Sequence, residues 1–312
     1  MDNLTHSLVG ALLGRAGAKR LTPYAMPALI LSANLPDIDS FVAPLLGVEP
    51  IAAHRGFTHG VGGLVTMPFL AAAIILLLQK FRPSKEGPVR IGGLLLACFV
   101  GTLSHPALDV LNTYGTRIAE PLNHRWYYGD TLFIIDPWIW IALIVGLEMS
   151  WRAERLGRNW TRPALWAFGA VVGYIALNAA ISVRAVAVTR PLVERVATPR
   201  MIVAGEVPLT FWKRKMIWRG DGVGGFGTYN VLDGLNRAWL DPRIVALNLD
   251  EPRLAAAAKR DRRVHGFLFW SRMPMVQLEG GRAYLTDQRF FEAGRPSSSN
   301  FLIPLDNRRR NP

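Results

Sequence analysis

The sequence predicts a mainly α fold: a polytopic transmembrane helical bundle of about six segments, residues 1–188, followed by a soluble β-rich domain, residues 189–312. Three observations predict it. Half of the 312 residues are hydrophobic and mean hydropathy is +0.19, although 19% are charged. That mixture suits a chain partly in lipid and partly in water better than a single globular domain. Residues 61–79 and 163–183 are uncharged, and each is long enough to cross a bilayer core, which takes about 20 helical residues. After Val188 the apolar runs shorten, Gly and Pro punctuate them, and aromatics alternate with polar residues.

Taken in order, a short apolar run at 4–14 follows the start and carries His6 at its head. Runs at 21–36, 91–104 and 137–147 are shorter than the two long ones, and each abuts a polar block. The alternative for a short run is a buried helix in a soluble protein; six such runs within 190 residues favour a membrane bundle. Pro106 suits the first turn of a helix beginning near His105, and Asp136-Pro137 reads as a cap followed by a first-turn proline. In the second region 211–218, 226–232 and 267–270 read as short strands, and Asp250 to Arg263 as a helix. The single Cys98 lies inside an apolar run and is expected to be a small buried hydrophobe. Arg308-Arg309-Arg310 reads as a frayed, solvated tail, His265 as structural.

Charge sets an orientation. With the N-terminus outside, alternate loops fall at 15–20, 80–90 and 148–162, and these hold Arg15, Lys19, Arg20, Lys80, Arg82, Lys85, Arg90, Arg152, Arg155, Arg158 and Arg162. The positive-inside rule makes that side the cytoplasm. Every polar block then falls on the other face, so the expected protein is a multi-pass inner-membrane one with N-terminus and C-terminal domain extracytoplasmic. Asp2 stands where a secretory leader would be positive. Residues 189–312 hold 21 Lys and Arg against 12 Asp and Glu. This reads as attraction to anionic lipid headgroups or a polyanionic substrate, or as a solvated basic surface. No RNA or helix-turn-helix signature is present, so no nucleic-acid partner is expected.

Five of the six histidines lie in the first 124 residues, among Asp, Asn and Thr in short blocks between apolar runs. Ionisable groups at membrane depth are costly unless paired, solvated or bound, and imidazole with carboxylate suits zinc and its neighbours. His105 and Asp109 are four apart, on one face of a helix and within reach of one metal; a helix-capping His near an exposed Asp is the alternative. Asp37 and Asp39 follow Pro36 in an extended or turn segment, their carboxylates pointing differently. One would bind metal while the other orients a histidine, or both belong to a helix-end turn. The expected metal ligands are His6, Asp39, His54, His59, His105 and Asp109. His54 and His59 would lie in a loop leading into the next helix, and His6 is either functional or a cap. Arg55 would hold an anionic substrate oxygen by its planar fork, or pair with Asp37 or Asp39. Asp37 is expected to act in catalysis with Arg55. His124, Asp130 and Asp136 are left open; His124 is an added ligand or an interfacial residue beside Trp126, Tyr127 and Tyr128.

Asp2-x-x-Thr5-His6, Asn34-Leu35-Pro36-Asp37-Ile38-Asp39, His54-Arg55-Gly56-x-Thr58-His59 and His105-Pro106-x-Leu108-Asp109-x-x-Asn112-Thr113-Tyr114-Gly115-Thr116 resemble the signature blocks of the YdjM-like family of membrane-bound, metal-dependent hydrolases. The blocks span about residues 1–140, and Phe269-Trp270-Ser271-Arg272-Met273-Pro274 is similar to the tail of many members. The ligand order is also distantly similar to that of the zinc-dependent phospholipase C group, which would put His6, Asp37 or Asp39, His59, His105 and Asp109 on metal. The chain departs from that group in having no later His-x-x-x-Glu pair, so one or two ions, zinc foremost, are implied rather than three. The resemblance implies a metal-dependent hydrolase; the membrane rim, Arg55 and the basic second region point to a phosphoester or lipid-linked substrate, a small molecule or a lipid, with membrane lipids as partners. The alternatives are a non-catalytic metal-binding or transport protein and a structural envelope protein whose polar blocks cap helices.

Overall fold

The computed structural model describes residues 1–291 and 301–306, and the Arg308-Arg309-Arg310 tail lies outside the described residues. In chain order its helices are α1 (Asn3–Arg15), α2 (Ala25–Asn34), α3 (Asp39–Leu45), α4 (Pro50–Ala53), α5 (Val61–Phe81), α6 (Ile91–Asp109), α7 (Pro137–Arg155) and α8 (Thr161–Val193). Then come β1 (Met201–Glu206), β2 (Lys213–Arg219), β3 (Val223–Asn230), β4 (Ala238–Ala246), α9 (Pro252–Arg260), α10 (Arg262–Trp270), β5 (Pro274–Glu279), β6 (Arg282–Asp287) and β7 (Ile303–Pro304). The chain falls into two compact units. One comprises Met1–Leu46, Ala53–Ala180 and Pro208–Phe211; the other comprises Gly47–Ala52, Ile181–Val207 and Trp212–Pro312.

The first unit is helical. Asp2 caps α1, its carboxylate accepting the Thr5 N–H at 3.1 Å. α2 packs against α1 and α6 at backbone distance because the facing residues are small. A Cβ at Gly101 would lie 2.1 Å from Ser32 Oγ and 2.7 Å from the Leu29 carbonyl, and one at Gly10 would lie 2.9 Å from the same carbonyl. Close approach through small residues is how helices associate where no hydrophobic effect drives them together. Around this contact Ala28, Leu29, Ala71, Ile75, Leu94, Ala97 and Cys98 form a core. Cys98 is a free, buried thiol, the small apolar role expected of it.

Among the described residues three helices are long and apolar enough to cross a membrane: Val61–Phe81, Ile91–Asp109 and Thr161–Val193. The expectation of about six spans is therefore corrected. α1 and α2 have 13 and 10 residues, which at 1.5 Å per residue reach about 20 and 15 Å of a core about 30 Å thick. α7 has 19 residues, but Glu148, Arg152, Glu154 and Arg155 occupy its last turns. On α5, Val65, Phe69, Leu77 and Phe81 are exposed, the apolar surface a lipid-facing span presents. The helix expected to start near His105 is also corrected: α6 begins at Ile91 and carries Pro106 in its last turn. A proline there removes one ladder bond close to where the helix stops.

The second unit carries an antiparallel sheet ordered β1-β2-β3-β4 and a smaller one ordered β5-β6-β7. In β2, Arg214, Met216 and Trp218 alternate inward with the period of a strand, while Ile217 packs with Val203 and Met273 on the other face. Residues 267–270 are corrected from strand to helix α10. Asp261 accepts the Arg263 N–H and starts a new helix. The buried Val264, Phe267 and Trp270 recur every third residue, so the aromatic cluster has helical spacing. The same Asp261 divides the single helix expected over 250–263 into α9 and the start of α10. Asp287 and Arg289 form a buried ion pair with an N–O distance of 2.7 Å. Burial works against the Asp287 charge, and Arg289 outweighs it, holding the carboxyl below its ordinary value.

Candidate metal centre

Segments distant in sequence bring their polar side chains together in the first unit. Asp37 lies in a 3-10 turn, Leu35–Ile38, begun by Pro36 just after α2 ends, and Asp39 opens α3. The segment is thus helical rather than extended, yet its two carboxylates do face different partners. Arg55 takes a left-handed backbone conformation, φ 61°, which its N–H supports by donating to Asp39 Oδ2 at 3.0 Å. A second 3-10 turn, Phe57–His59, then delivers His59 to the foot of α5, where Gly60 is the cap. His105 and Asp109 stand one turn apart at the end of α6, and His6 lies in α1.

Four ligand atoms converge. His59 Nε2 and His105 Nε2 are 3.0 Å apart. Asp37 Oδ1 is 3.4 Å from the first and 3.3 Å from the second; Asp109 Oδ2 is 3.4 Å and 3.7 Å from them. His59, His105 and Asp109 are buried, and Asp37 is partly open. Proton positions follow from the partners on the far side of each ring. His105 Nδ1 lies 2.6 Å from the Ala33 carbonyl, which can only accept, so Nδ1 carries the proton. His59 Nδ1 is 3.0 Å from Thr58 Oγ1 and 3.3 Å from Asp39 Oδ2. Thr58 spends its own hydroxyl proton on Asp39 Oδ2 at 2.8 Å, so the His59 proton is also on Nδ1. Two imidazole lone pairs and two carboxylate oxygens therefore point at one small volume; the nearest cationic groups, the Met1 ammonium and Arg55 Nε, both pair with Asp109 and leave the other three atoms facing one another. A proton on one ring would relieve one contact; a divalent cation relieves all four. Mixed imidazole and carboxylate donors fit such an ion.

His6 adds an orphan. It is fully buried and neither ring nitrogen has a hydrogen bond. It stacks on His105 at 3.8 Å between ring centroids, with Nε2 3.3 Å from Asp109 Oδ1. Asp2 does the capping, so His6 does not serve as a cap.

Asp39 stands behind His59. Its oxygens accept from the Arg55 N–H, the Thr58 hydroxyl and His54, whose Nδ1 is 2.8 Å from Oδ1. Burial opposes ionisation of Asp39, but His54 and His59 outweigh it and hold the carboxyl well below the usual range. At Asp37 burial is likewise outweighed by His105 and His59. Asp39, His54 and His59 form a second group with metal-ligating spacing. Of the expected ligands, His59, His105 and Asp109 converge with Asp37, His6 adjoins them, and Asp39 and His54 lie one layer out.

Arg55 pairs with neither Asp37 nor Asp39 through its guanidinium. Nε lies 3.2 Å from Asp109 Oδ2, and Nη1 donates to Asn112 Oδ1 at 2.8 Å and to the Gly115 carbonyl at 3.4 Å. Burial pulls it down to about 10, against the opposing pull of Asp37, so it stays protonated at neutral pH. His124 is exposed and pairs with Glu120, away from the cluster. Asp136 caps α7, accepting from Trp138 and Ile139, and also accepts from Tyr174. Neither it nor Asp130 belongs to the donor group, and His265 lies on α10 in the other unit.

Sequence reasoning missed the supporting atoms. The Ala33 carbonyl that fixes His105 leaves no mark in a sequence. Thr58 adjoins His59 in sequence, and Asn112 follows Asp109 in the same polar block; those positions were the available signal, while the pairing of Asn112 with Arg55, 57 residues away, left none.

The Bacillus subtilis protein YfhP, itself uncharacterized, is 26% identical over 159 residues, covering 48% of this chain and 46% of that one. The match therefore spans less than half of that relative's length. No solved structure matches the chain. The profile described as YdjM inner membrane protein matches residues 1–185, the stretch that contains every residue of the cluster. The chain belongs to the YdjM inner membrane protein family.

Proposed function

We propose that the protein is a membrane-bound, metal-dependent hydrolase of phosphoesters, with its site on the extracytoplasmic side. The observation that carries this reading is the convergence of His59 Nε2, His105 Nε2, Asp37 Oδ1 and Asp109 Oδ2 on one small volume. These four would hold one ion, zinc foremost, and His6 is placed to join them. When bound, such an ion polarises a phosphoryl oxygen and lowers the pKa of water.

The remaining work falls to the chain. Asp39 keeps the proton of His59 on Nδ1 and so aims Nε2 inward, as carboxylates behind metal-binding histidines do. The Ala33 carbonyl does the same for His105. Asp37 is the least buried donor, and its second oxygen carries no hydrogen bond among the described residues, so it is placed to take a proton from attacking water. Arg55 keeps Nη2 without a hydrogen bond among the described residues, a donor for a phosphate oxygen. Hydrolysis then puts the water's OH on phosphorus and its proton on the leaving alkoxide. A transport role has less support: below His105 the interior is filled by Leu94, Ala97, Cys98 and Leu29.

Metal analysis of detergent-purified protein, then a screen of soluble phosphoesters, tests the reading. One equivalent of metal or more, lost in His59→Ala and His105→Ala but kept in His265→Ala, is the expected result. Full metal in all three, or hydrolysis unaffected by chelation, would overturn it.

A further inference from the structure

Helix α3 is amphipathic in an unusual sense. Asp39 and the buried Ala43, four residues apart, face inward, and Asp39 braces His59. The outward positions pair at the same spacing, Phe41 with Leu45 and Val42 with Leu46. Phe41 is 74% exposed, Leu45 85% and Leu46 72%. No charged residue follows Asp39 in this helix. Contiguous apolar side chains of this size in contact with water mark an interaction surface.

Two features identify what covers it. The head of α3 is tied to the turn that leads into α5, an apolar helix long enough to cross a membrane: Thr58 donates its hydroxyl to Asp39 Oδ2 at 2.8 Å. Exposed Phe57 packs its ring on the first turn of α5, where a Cβ at Gly62 would come within 2.3 Å of it, and the exposed Val61 and Val65 lead on along α5. The depth of the metal cluster agrees. His59 lies two residues before α5, and His105 lies four residues, about 6 Å, from the end of α6. The cluster is thus within about one helical turn of where two membrane spans end. The headgroup layer occupies that level, since it adds only about 5–7 Å on each side of the hydrocarbon core.

We propose that α3 lies in the membrane interface with Phe41, Leu45 and Leu46 in the acyl region, and that the molecule recognised by the cluster is a lipid with an ionised phosphate headgroup. Its tail lies along α3 while the phosphate reaches Asp37 and Arg55 sideways from the bilayer, without leaving it. The lipid identity rests on the hydrolase reading above; the immersion of α3 does not.

The test has two independent arms, both on the full chain in nanodiscs. In the first, a bimane label on Leu45→Cys is exposed to lipids with brominated acyl chains, beside labels on Phe69→Cys and Arg125→Cys. Quenching at 45 is expected to match the lipid-facing position 69; quenching as weak as at 125 overturns the immersion. In the second, Phe41→Glu/Leu45→Glu is assayed on phosphatidic acid in the disc and on 4-nitrophenyl phosphate in solution, with bound metal measured. The ratio of lipid rate to soluble rate is expected to fall tenfold or more with metal retained. An unchanged ratio overturns the lipid assignment. Loss of metal would place α3 in the fold of the site and overturn its role as a tail path. If the parent protein hydrolyses neither compound, the hydrolase reading fails, and the quenching arm still decides where α3 lies.

Discussion

Replacing Asp37 or Asp39 by Asn separates two roles that lie two residues apart. The sequence led us to expect Asp39 on the metal and Asp37 in catalysis; the geometry favours Asp37 among the converging donors and Asp39 behind His59. Asp39→Asn keeps an oxygen for the Arg55 N–H and the Thr58 hydroxyl. It loses the charge facing the His59 Nδ1 proton and one of the oxygens shared with His54. Removing such an orienting carboxylate commonly weakens metal binding 10–100-fold, about 1.4–2.7 kcal/mol at 1.4 kcal/mol per decade. Asp37→Asn replaces one of the four donors by a weaker neutral amide oxygen and removes one of two negative charges on the ion, so its loss is expected to exceed that of Asp39→Asn by tenfold or more. Zinc affinity measured by chelator competition in detergent gives both numbers. The reasoning is refuted if Asp37→Asn binds zinc like the parent while Asp39→Asn strips it.

Gly101→Ala puts a methyl where Ser32 Oγ and the Leu29 carbonyl already stand, so α2 and α6 must part, at a cost of about 1–3 kcal/mol. Denaturant unfolding in detergent should show it together with weaker zinc binding, and parental values for both would contradict the packing argument. Asp287→Asn strands the buried Arg289 and should cost about 3–5 kcal/mol of second-unit stability. Because the folded Asp287 carboxyl lies below its ordinary value, the pair's contribution is complete above the unfolded pKa of about 3.9 and disappears as pH falls through the folded value. A loss that begins near pH 6 would assign it to another group. For topology, a cysteine at Arg125 should react with an impermeant thiol reagent from outside and ones at Arg82 or Arg155 should not; the reverse pattern overturns the extracytoplasmic assignment.

The site was more legible than the fold around it. Histidines and carboxylates between apolar runs have few uses, so His59, His105 and Asp109 stood out. The i, i+4 spacing of the last two survived although the helix carrying them runs in from Ile91. The division of labour between Asp37 and Asp39 was not legible. It turns on which ring atom each carboxylate meets, and Pro36 left the segment either extended or turned; the 3-10 turn Leu35–Ile38 decides it. In the second unit the strand reading of 267–270 failed for a related reason. Aromatics favour strands on average, but the Asp261 cap and the three-residue spacing of Val264, Phe267 and Trp270 settle the local structure.

The over-count of membrane spans has a physical cause that bears on the site. α1 and α2 are apolar because their surroundings are, yet neither is long enough to cross. What the two short helices do is position donors. α1 holds His6 against His105. α2 ends where its Ala33 carbonyl fixes the His105 proton, and the next turn carries Asp37. That placement depends on Gly10 and Gly101, which let backbones approach closer than any side chain would allow. Helix contacts inside the bundle thereby set His105 and Asp109, while Asp37 and His59 are held by the short 3-10 turns at the end of α2 and at the foot of α5. The four converging atoms would then keep their distances whether or not an ion sits among them, and the repulsion among unprotonated donors held that way favours a cation over an empty site.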